Sequence, residues 1–411
     1  MERREFITAA GAVMVSRLDG LAVRRVNPRP DYPPNRLTVY PSQEPSLSPA
    51  VFARRIERAQ AELKTNKWDV LIAPASSNYR YFTGDNPGSS ERLIALILPA
   101  VGDPGIVCPA FEVDRIKAHT TIQDVRGWEE TASPYDLVKK VVRARKPRGN
   151  GIIALEGSTA FVPYLGLKDA LDGWKFEDAT VITARLRSVK SPEEIALIQR
   201  AITITEDALA ATFAQLKVGM TERDGERLLV SEMERRGAAG DGLVQFGPSS
   251  ALPHGGPAGT TLDAEMVVLI DCGCRVMGYT SDITRTVWFG DHPSAEFKTV
   301  YNLVHDAQTA AIQLGKPLVT KCQEMDRSAR EVIGKGGFGP QFTHRLGHGI
   351  GLDGHEPPYL VEGSETRLEP GMVFTLEPGI YQMGKFGVRI EDDCVMTESG
   401  VAVLSHRPAK L

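Results

Sequence analysis

The sequence predicts two domains of mixed class, an α/β layer domain over 50–188 and an α+β domain over 189–411, behind an N-terminal tail and proline-rich arm at 1–49. Three observations carry that prediction. A length of 411 residues fits two or three domains at roughly 100 to 200 residues each. Helical periodicity alternates with short apolar runs between about 50 and 185, and a sharply marked helix start follows, after which long helical stripes give way to paired strand-like runs.

Within the tail, Arg3-Arg4-Glu5-Phe6-Ile7 and the apolar run to Val15 resemble a twin-arginine export signal, with Gly20-Leu21-Ala22 as a poor cleavage site. The run is short, and Arg17 and Asp19 stand where such signals carry no charge, so an exported chain and a cytoplasmic chain with a frayed tail both stay open. Residues 28–49 hold seven of the 27 prolines, which favours an extended arm over a helix. Ser48-Pro49 then reads as an N-cap followed by proline in the first turn, with Phe52, Ile56, Ala59 and Leu63 at helical spacing.

Apolar runs at 70–73 and 93–98, a strand-like stretch at 105–107, a helix at 134–145 and a strand at 152–155 make up the first domain. Ser191-Pro192-Glu193-Glu194 is a capping box, and Ile195, Ile198, Ile202, Leu209, Phe213 and Leu216 give the helix behind it one apolar stripe. Further helices open at Thr221, near Ser294 and near Thr320, with strands at 266–272, 282–289, 372–377 and 387–396.

Charge excludes some functions. There are 48 Lys and Arg against 52 Asp and Glu, a net of −4, with no basic block, so neither nucleic acid nor an anionic membrane is an expected partner. The longest apolar stretches, such as 93–98, fall far short of the roughly 18 residues a membrane-spanning helix needs. Five cysteines without CxxC spacing predict free thiols; Cys272 and Cys274 point the same way along one strand.

The chemistry lies in the acids and histidines. A regular hairpin turning at Gly278 would set Asp271 opposite Asp282, and one centred on Gly384 would set Glu377 opposite Glu391. Opposed like charges destabilise a hairpin and raise a carboxyl pKa unless a cation neutralises them, and four acids from two hairpins call for a metal. His254, His344, His348 and His355 lie in glycine-rich segments, Leu252-Pro253-His254-Gly255-Gly256 and 344–355, that suit a backbone approaching something closely. Carboxylates with one imidazole suit two borderline-hard divalent ions better than a thiolate zinc site, and parity turns Cys272 and Cys394 away from Asp271 and Glu391.

Ile270-Asp271-Cys272-Gly273, Ser281-Asp282-Ile283-Thr284-Arg285-Thr286, the His344/His348/His355 segment, Glu377-Pro378-Gly379-Ile380-Tyr381 and Val388-Arg389-Ile390-Glu391-Asp392 resemble, in order, the active-site motifs of the M24 metallopeptidases. These are the pita-bread enzymes: methionine aminopeptidase, aminopeptidase P and prolidase, with creatinase as a metal-free relative. Asn78-Tyr79-Arg80-Tyr81-Phe82-Thr83-Gly84 resembles the creatinase-type N-terminal domain, and Ser250 to Gly255 is closer to small prolidases and bacterial Xaa-Pro peptidases than to classical aminopeptidase P. The resemblance covers about 50–411. It implies an α+β pita-bread catalytic domain behind a creatinase-like α/β domain, and an Xaa-Pro dipeptidase or aminopeptidase acting on proline-containing dipeptides or short peptides. It further implies that Asp271, Asp282, His348, Glu377 and Glu391 bind two divalent ions, Mn²⁺ foremost and Co²⁺ or Zn²⁺ as alternatives, with Asp282 and Glu391 bridging. Glu377 would be the base, His254 and His355 would contact substrate and intermediate, His344 and Arg389 would support the cluster, and Tyr381 would lie near the substrate. A homodimer is implied too. The alternatives are a non-catalytic pita-bread binding module and a metal-free creatinase-like hydrolase.

Overall fold

Strand β1 (Val70–Pro74) alternates strictly: Leu71 and Ala73 face one apolar layer, Val70 and Ile72 the other, and all four are fully buried. A strand buried on both faces belongs inside a layered sheet, and β1 lies near the middle of one. The structure is a computed structural model that describes residues 47–411 apart from 89, 147–148 and 257–258. The Arg3-Arg4 stretch and the proline-rich arm up to residue 46 lie outside the described residues.

In chain order the first half runs α1 (Pro49–Thr65), β1, α2 (Ser77–Thr83), β2 (Ala95–Pro99), β3 (Gly105–Pro109), α3 (Val113–His119), β4 (Asp124–Trp128), α4 (Pro134–Arg145), β5 (Ile152–Leu155), α5 (Phe161–Ala170), β6 (Lys175–Asp178) and α6 (Thr180–Ser188). The strands form one six-stranded mixed sheet, ordered β4-β3-β2-β1-β5-β6. Ala59 and Leu63 of α1 and Ile116 of α3 cover one face, and Val138, Val141 and Val142 of α4 cover the other. Ser48 does occupy the N-cap of α1 with Pro49 behind it, but its side chain makes no capping bond.

The second half runs α7 (Pro192–Gln215), α8 (Glu222–Glu234), β7 (Ala239–Phe246), β8 (Met266–Val276), β9 (Tyr279–Thr280), β10 (Ile283–Phe289), α9 (Ala295–Leu314), α10 (Cys322–Lys335), β11 (Gly347–Gly349), β12 (Glu356–Leu360), β13 (Val373–Leu376), β14 (Gly379–Gln382), β15 (Phe386–Arg389), β16 (Asp392–Thr397) and β17 (Gly400–Val403). The Ser191 capping box forms as expected, with Glu194 reaching back to the Ser191 N–H at 2.9 Å. Antiparallel sheets β10-β8-β7 and β12-β11-β13-β16-β17 carry the site between them, with the ribbon β14-β15 alongside. All five cysteines are free and buried. Among the described residues no helix is long and apolar enough to cross a membrane.

The two hairpins compare differently with expectation. Gly379↔Arg389 and Leu376↔Asp392 share one register, which extrapolates to Glu377 opposite Glu391, as expected; both glutamates sit where the ribbon breaks between sheets. The other register is off by two residues: Thr284, not Asp282, opposes Asp271. The turn is only Met277-Gly278, since Val276 pairs with Tyr279, which moves the hairpin centre one residue along. Asp282 falls between β9 and β10, where its N–H donates to the Asp393 carboxylate at 3.0 Å. It is thus a diagonal neighbour of Asp271 on the same face.

Candidate active site

A cavity of about 430 Å³ opens between the two antiparallel sheets. Its walls include Asp271, Asp282, Glu377 and Glu391, the histidines 254, 344, 348 and 355, and Arg345 and Arg389. Thus nine of the ten residues singled out in the sequence meet in one place. The tenth, Tyr381, lines a neighbouring cavity and reaches the site through its hydroxyl, which lies 2.9 Å from Arg389 Nη1 and 2.8 Å from His344 Nε2.

Three overlapping donor groups have their ligand atoms within 4.8 Å of one another: Asp271, Asp282 and Glu391; His348, Glu377 and Glu391; and Asp282, His348 and His355. The electrostatics follow from crowding acids out of water. Burial, then Glu391, pushes the Asp282 carboxyl far up; burial and Glu391 do the same to Glu377; burial, then Asp271, pushes Glu391 up to about 7. Divalent cations among these oxygens offset that cost.

The hydrogen bonds around the cluster assign its protons. His348 Nδ1 faces the Gly349 carbonyl at 3.1 Å, so Nδ1 carries the hydrogen and the Nε2 lone pair points at Glu377 Oε1 (3.4 Å) and Asp282 Oδ2 (3.7 Å). Burial, then the His355 charge, lowers the His348 pKa to about 3, keeping it neutral and able to ligate. His344 Nδ1 likewise donates to Arg345 O at 2.7 Å, so its Nε2 accepts from the Tyr381 hydroxyl, which in turn accepts from Arg389. Burial brings the His344 pKa down to about 4 and pushes the Tyr381 phenol up to about 12.

Arg389 fastens the cluster: its Nη2 donates to Asp271 at 2.6 Å and its Nε to the Thr284 hydroxyl at 3.0 Å, while Thr284 donates to Glu391 at 2.7 Å. Three contributors were missed in the sequence. Thr284 was legible in principle, two residues beyond Asp282 on the same strand face; Arg345 stands out as a cation inside the histidine and glycine run; Asp393, two residues beyond Glu391, was legible on the same ground as Thr284.

Residues 196–398 match the profile of Metallopeptidase family M24, and residues 55–189 match the Creatinase/Prolidase N-terminal domain. Dipeptidase PepE from Mycobacterium ulcerans superposes with a TM-score of 0.82 at 34% identity, over 89% of this chain and 98% of that one. The chain belongs to metallopeptidase family M24. A prolidase from Thermococcus sibiricus (TM-score 0.81, 31% identity, 89% and 99% of the chains) and an X-Pro aminopeptidase from Thermotoga maritima (0.77, 33%, 87% and 98%) share the same pita-bread architecture behind the same N-terminal domain. Membership in M24 makes the chain a metallopeptidase that works with divalent ions, and the all-oxygen-and-imidazole donor set fits such ions.

Proposed function

We propose that this chain is a dinuclear metal-dependent exopeptidase that hydrolyses the bond between an N-terminal residue and proline. The observation that carries the reading is the overlap of the donor groups: Glu391 belongs both to the Asp271–Asp282 group and to the His348–Glu377 group. Its likeness to a prolidase and an X-Pro aminopeptidase supplies the bond class.

In this reading Asp271, Asp282, His348, Glu377 and Glu391 would hold two divalent ions, Mn²⁺ foremost, with Co²⁺ or Zn²⁺ able to substitute; Asp282, His348 and Glu391 are each shared by two donor groups, and of these the two carboxylates match the positions that the family resemblance implies as bridging ligands. When bound, such ions lower the pKa of a water and polarise a carbonyl. Glu377, whose carboxyl burial and then Glu391 push above its ordinary value, would take the proton of the attacking water. His355 presents an Nε2 hydrogen, because its Nδ1 accepts from Arg345 at 3.2 Å, and that hydrogen stabilises oxygen charge developing on the scissile carbonyl. His254, which lines the same cavity, contacts substrate, while Arg389, His344 and Tyr381 hold Asp271 and the cavity edge in place. A peptide bond to proline lacks an N–H, so its recognition falls to ring shape and to the carbonyl.

The division at 188/189 into a creatinase-like domain and a catalytic domain, and a homodimer, belong to the same proposal; the meeting of the two profile matches between 189 and 196 supports the former. Chelated protein supplied with Mn²⁺ or Co²⁺ should release the first residue from Xaa-Pro dipeptides or Xaa-Pro-Yaa tripeptides. Absence of metal-dependent release from both classes refutes the reading, and a monomeric mass by light scattering refutes the dimer.

A further inference from the structure

The four histidines of the cavity are not held alike. His344 Nδ1 is bound to the Arg345 carbonyl, His348 Nδ1 to that of Gly349, and His355 Nδ1 to the Arg345 side chain. The His254 ring has no hydrogen-bond partner among the described residues. It stands on the connection between β7 and β8, so its place in the cavity depends on how the backbone on either side is fixed. Both sides meet one side chain. Glu222, the first residue of α8, is 2% exposed, and no cation among the described residues stands within ion-pair distance of it. Its Oε1 accepts from the Phe246 N–H at 2.9 Å and from the Ser249 hydroxyl, ahead of His254. Its Oε2 accepts from the N–H groups of Gly259 and Thr260, beyond His254, at 3.1 and 3.3 Å. An ionised carboxylate only accepts, and all four groups converging on this one are donors. Between the two sides, Gln245 donates to the Ser249 and Leu252 carbonyls at 2.6 and 2.9 Å, and Arg389 donates to the Pro253 carbonyl at 3.2 Å.

We propose that Glu222 is a positioning residue for His254: by bridging the two sides of the connection it fixes the direction from which the imidazole enters the cavity. The inference rests on the reading of His254 as a substrate contact. Glu222 is not among the residues lining the cavity, so its effect on turnover passes through the backbone it holds. Its own seat is firm, because Thr221 and Asp224 close a capping box around it at the start of α8.

The test is Glu222→Gln, which keeps the shape but sets an NH₂ against N–H donors on one side of the connection. Ala-Pro hydrolysis is compared in Mn²⁺-loaded wild type, Glu222→Gln, His254→Ala and the double variant. Glu222→Gln is expected to lower kcat/KM about ten- to a hundredfold with bound metal unchanged. In the His254→Ala background the same substitution should change kcat/KM less than about twofold. A second readout needs no turnover: in Zn²⁺-loaded protein carrying ¹³C-labelled histidine, the His254 resonance, identified by its loss in His254→Ala, should shift or broaden in Glu222→Gln while the other histidines keep theirs. Equal losses in both backgrounds, loss of metal from Glu222→Gln, or an unmoved His254 resonance overturns the proposal. If Glu222→Gln does not fold, Ser249→Ala, which removes a single donor, should give the same pattern at smaller size, and an unmoved resonance there overturns it equally. Failure of the loaded wild type to cleave Ala-Pro is a different result: it removes the Xaa-Pro reading, and the His254 resonance still decides whether Glu222 holds that ring.

Discussion

Replacing Arg187 with methionine tests whether the first half of the chain holds the His355 segment in place. Arg187, in α6, donates to Asn78 at 3.0 Å, to Asp353 at 2.7 Å and to Glu356, while Lys190 reaches Glu356 at 2.9 Å and Ser77 binds Asp353. Asp353 and Glu356 flank His355. Burial pushes the Glu356 carboxyl up, but the Lys190 and Arg187 charges hold it below the usual range, so the ion pairs dominate. Removing one partner of a buried pair costs about 3–5 kcal/mol. Here Lys190 remains on Glu356, and the Asp353 side chain is 45% exposed and can be hydrated, which places the expected loss near the lower end, at about 3 kcal/mol. Urea denaturation of metal-loaded protein followed by circular dichroism measures it. A double-mutant cycle with Glu356→Gln should give a coupling of at least about 1 kcal/mol. A loss under about 0.5 kcal/mol with additive single mutants would refute the reasoning.

The apo protein should lose stability as pH rises from 6.5 through about 7, because Glu391, ordinarily at 4.5, is pushed up to about 7 by burial and Asp271, so its protonated form stabilises the fold below that range. His344 and His348 act in the opposite sense, but only below their ordinary value of 6.5. Metal loading should flatten the slope and release protons, readable as buffer-dependent heats in calorimetry. Gly347→Ala would put a Cβ 2.0 Å from the Thr375 carbonyl oxygen; the shift should destabilise the protein by more than about 2 kcal/mol and reduce metal content through neighbouring His348, as denaturation and metal analysis would show. The cysteines are buried, with burial pushing the Cys108 thiol up to about 12 and Cys322 up to about 11, so a thiol reagent should label the native protein slowly and all five in urea. Rapid labelling of native protein contradicts their placement.

The parts of this fold governed by local chemistry were legible. The Ser191 capping box, the helix start at Thr221, helix α4 and strand β5 lie where caps and periodicity put them. The Glu377–Glu391 register was recoverable because a run of regular pairs surrounds it, whereas Asp271–Asp282 required knowing that Met277-Gly278 is a two-residue turn; the Ser281 hydroxyl beside Asp282 is tied to Thr205 at 2.8 Å. That partner is 76 residues away. Likewise, the α10 cap falls on Lys321, because the Thr320 hydroxyl is occupied by Leu314 O at 2.9 Å and Lys316 N at 3.0 Å. Arg345 was visible as a cation inside the histidine and glycine run, but its contacts with His355 and the Tyr359 ring appear only in the folded chain.

The central claim is that one cluster of four acids and His348 binds two ions and that turnover depends on both. The direct measurement is a titration of chelated protein with Mn²⁺ in which Ala-Pro hydrolysis and bound metal are followed together. Negligible activity before addition, a break at two equivalents per chain, and loss of both binding and turnover in Glu391→Gln are expected. Full activity in the chelated protein, as a metal-free hydrolase would show, or saturation at one equivalent, would contradict the account.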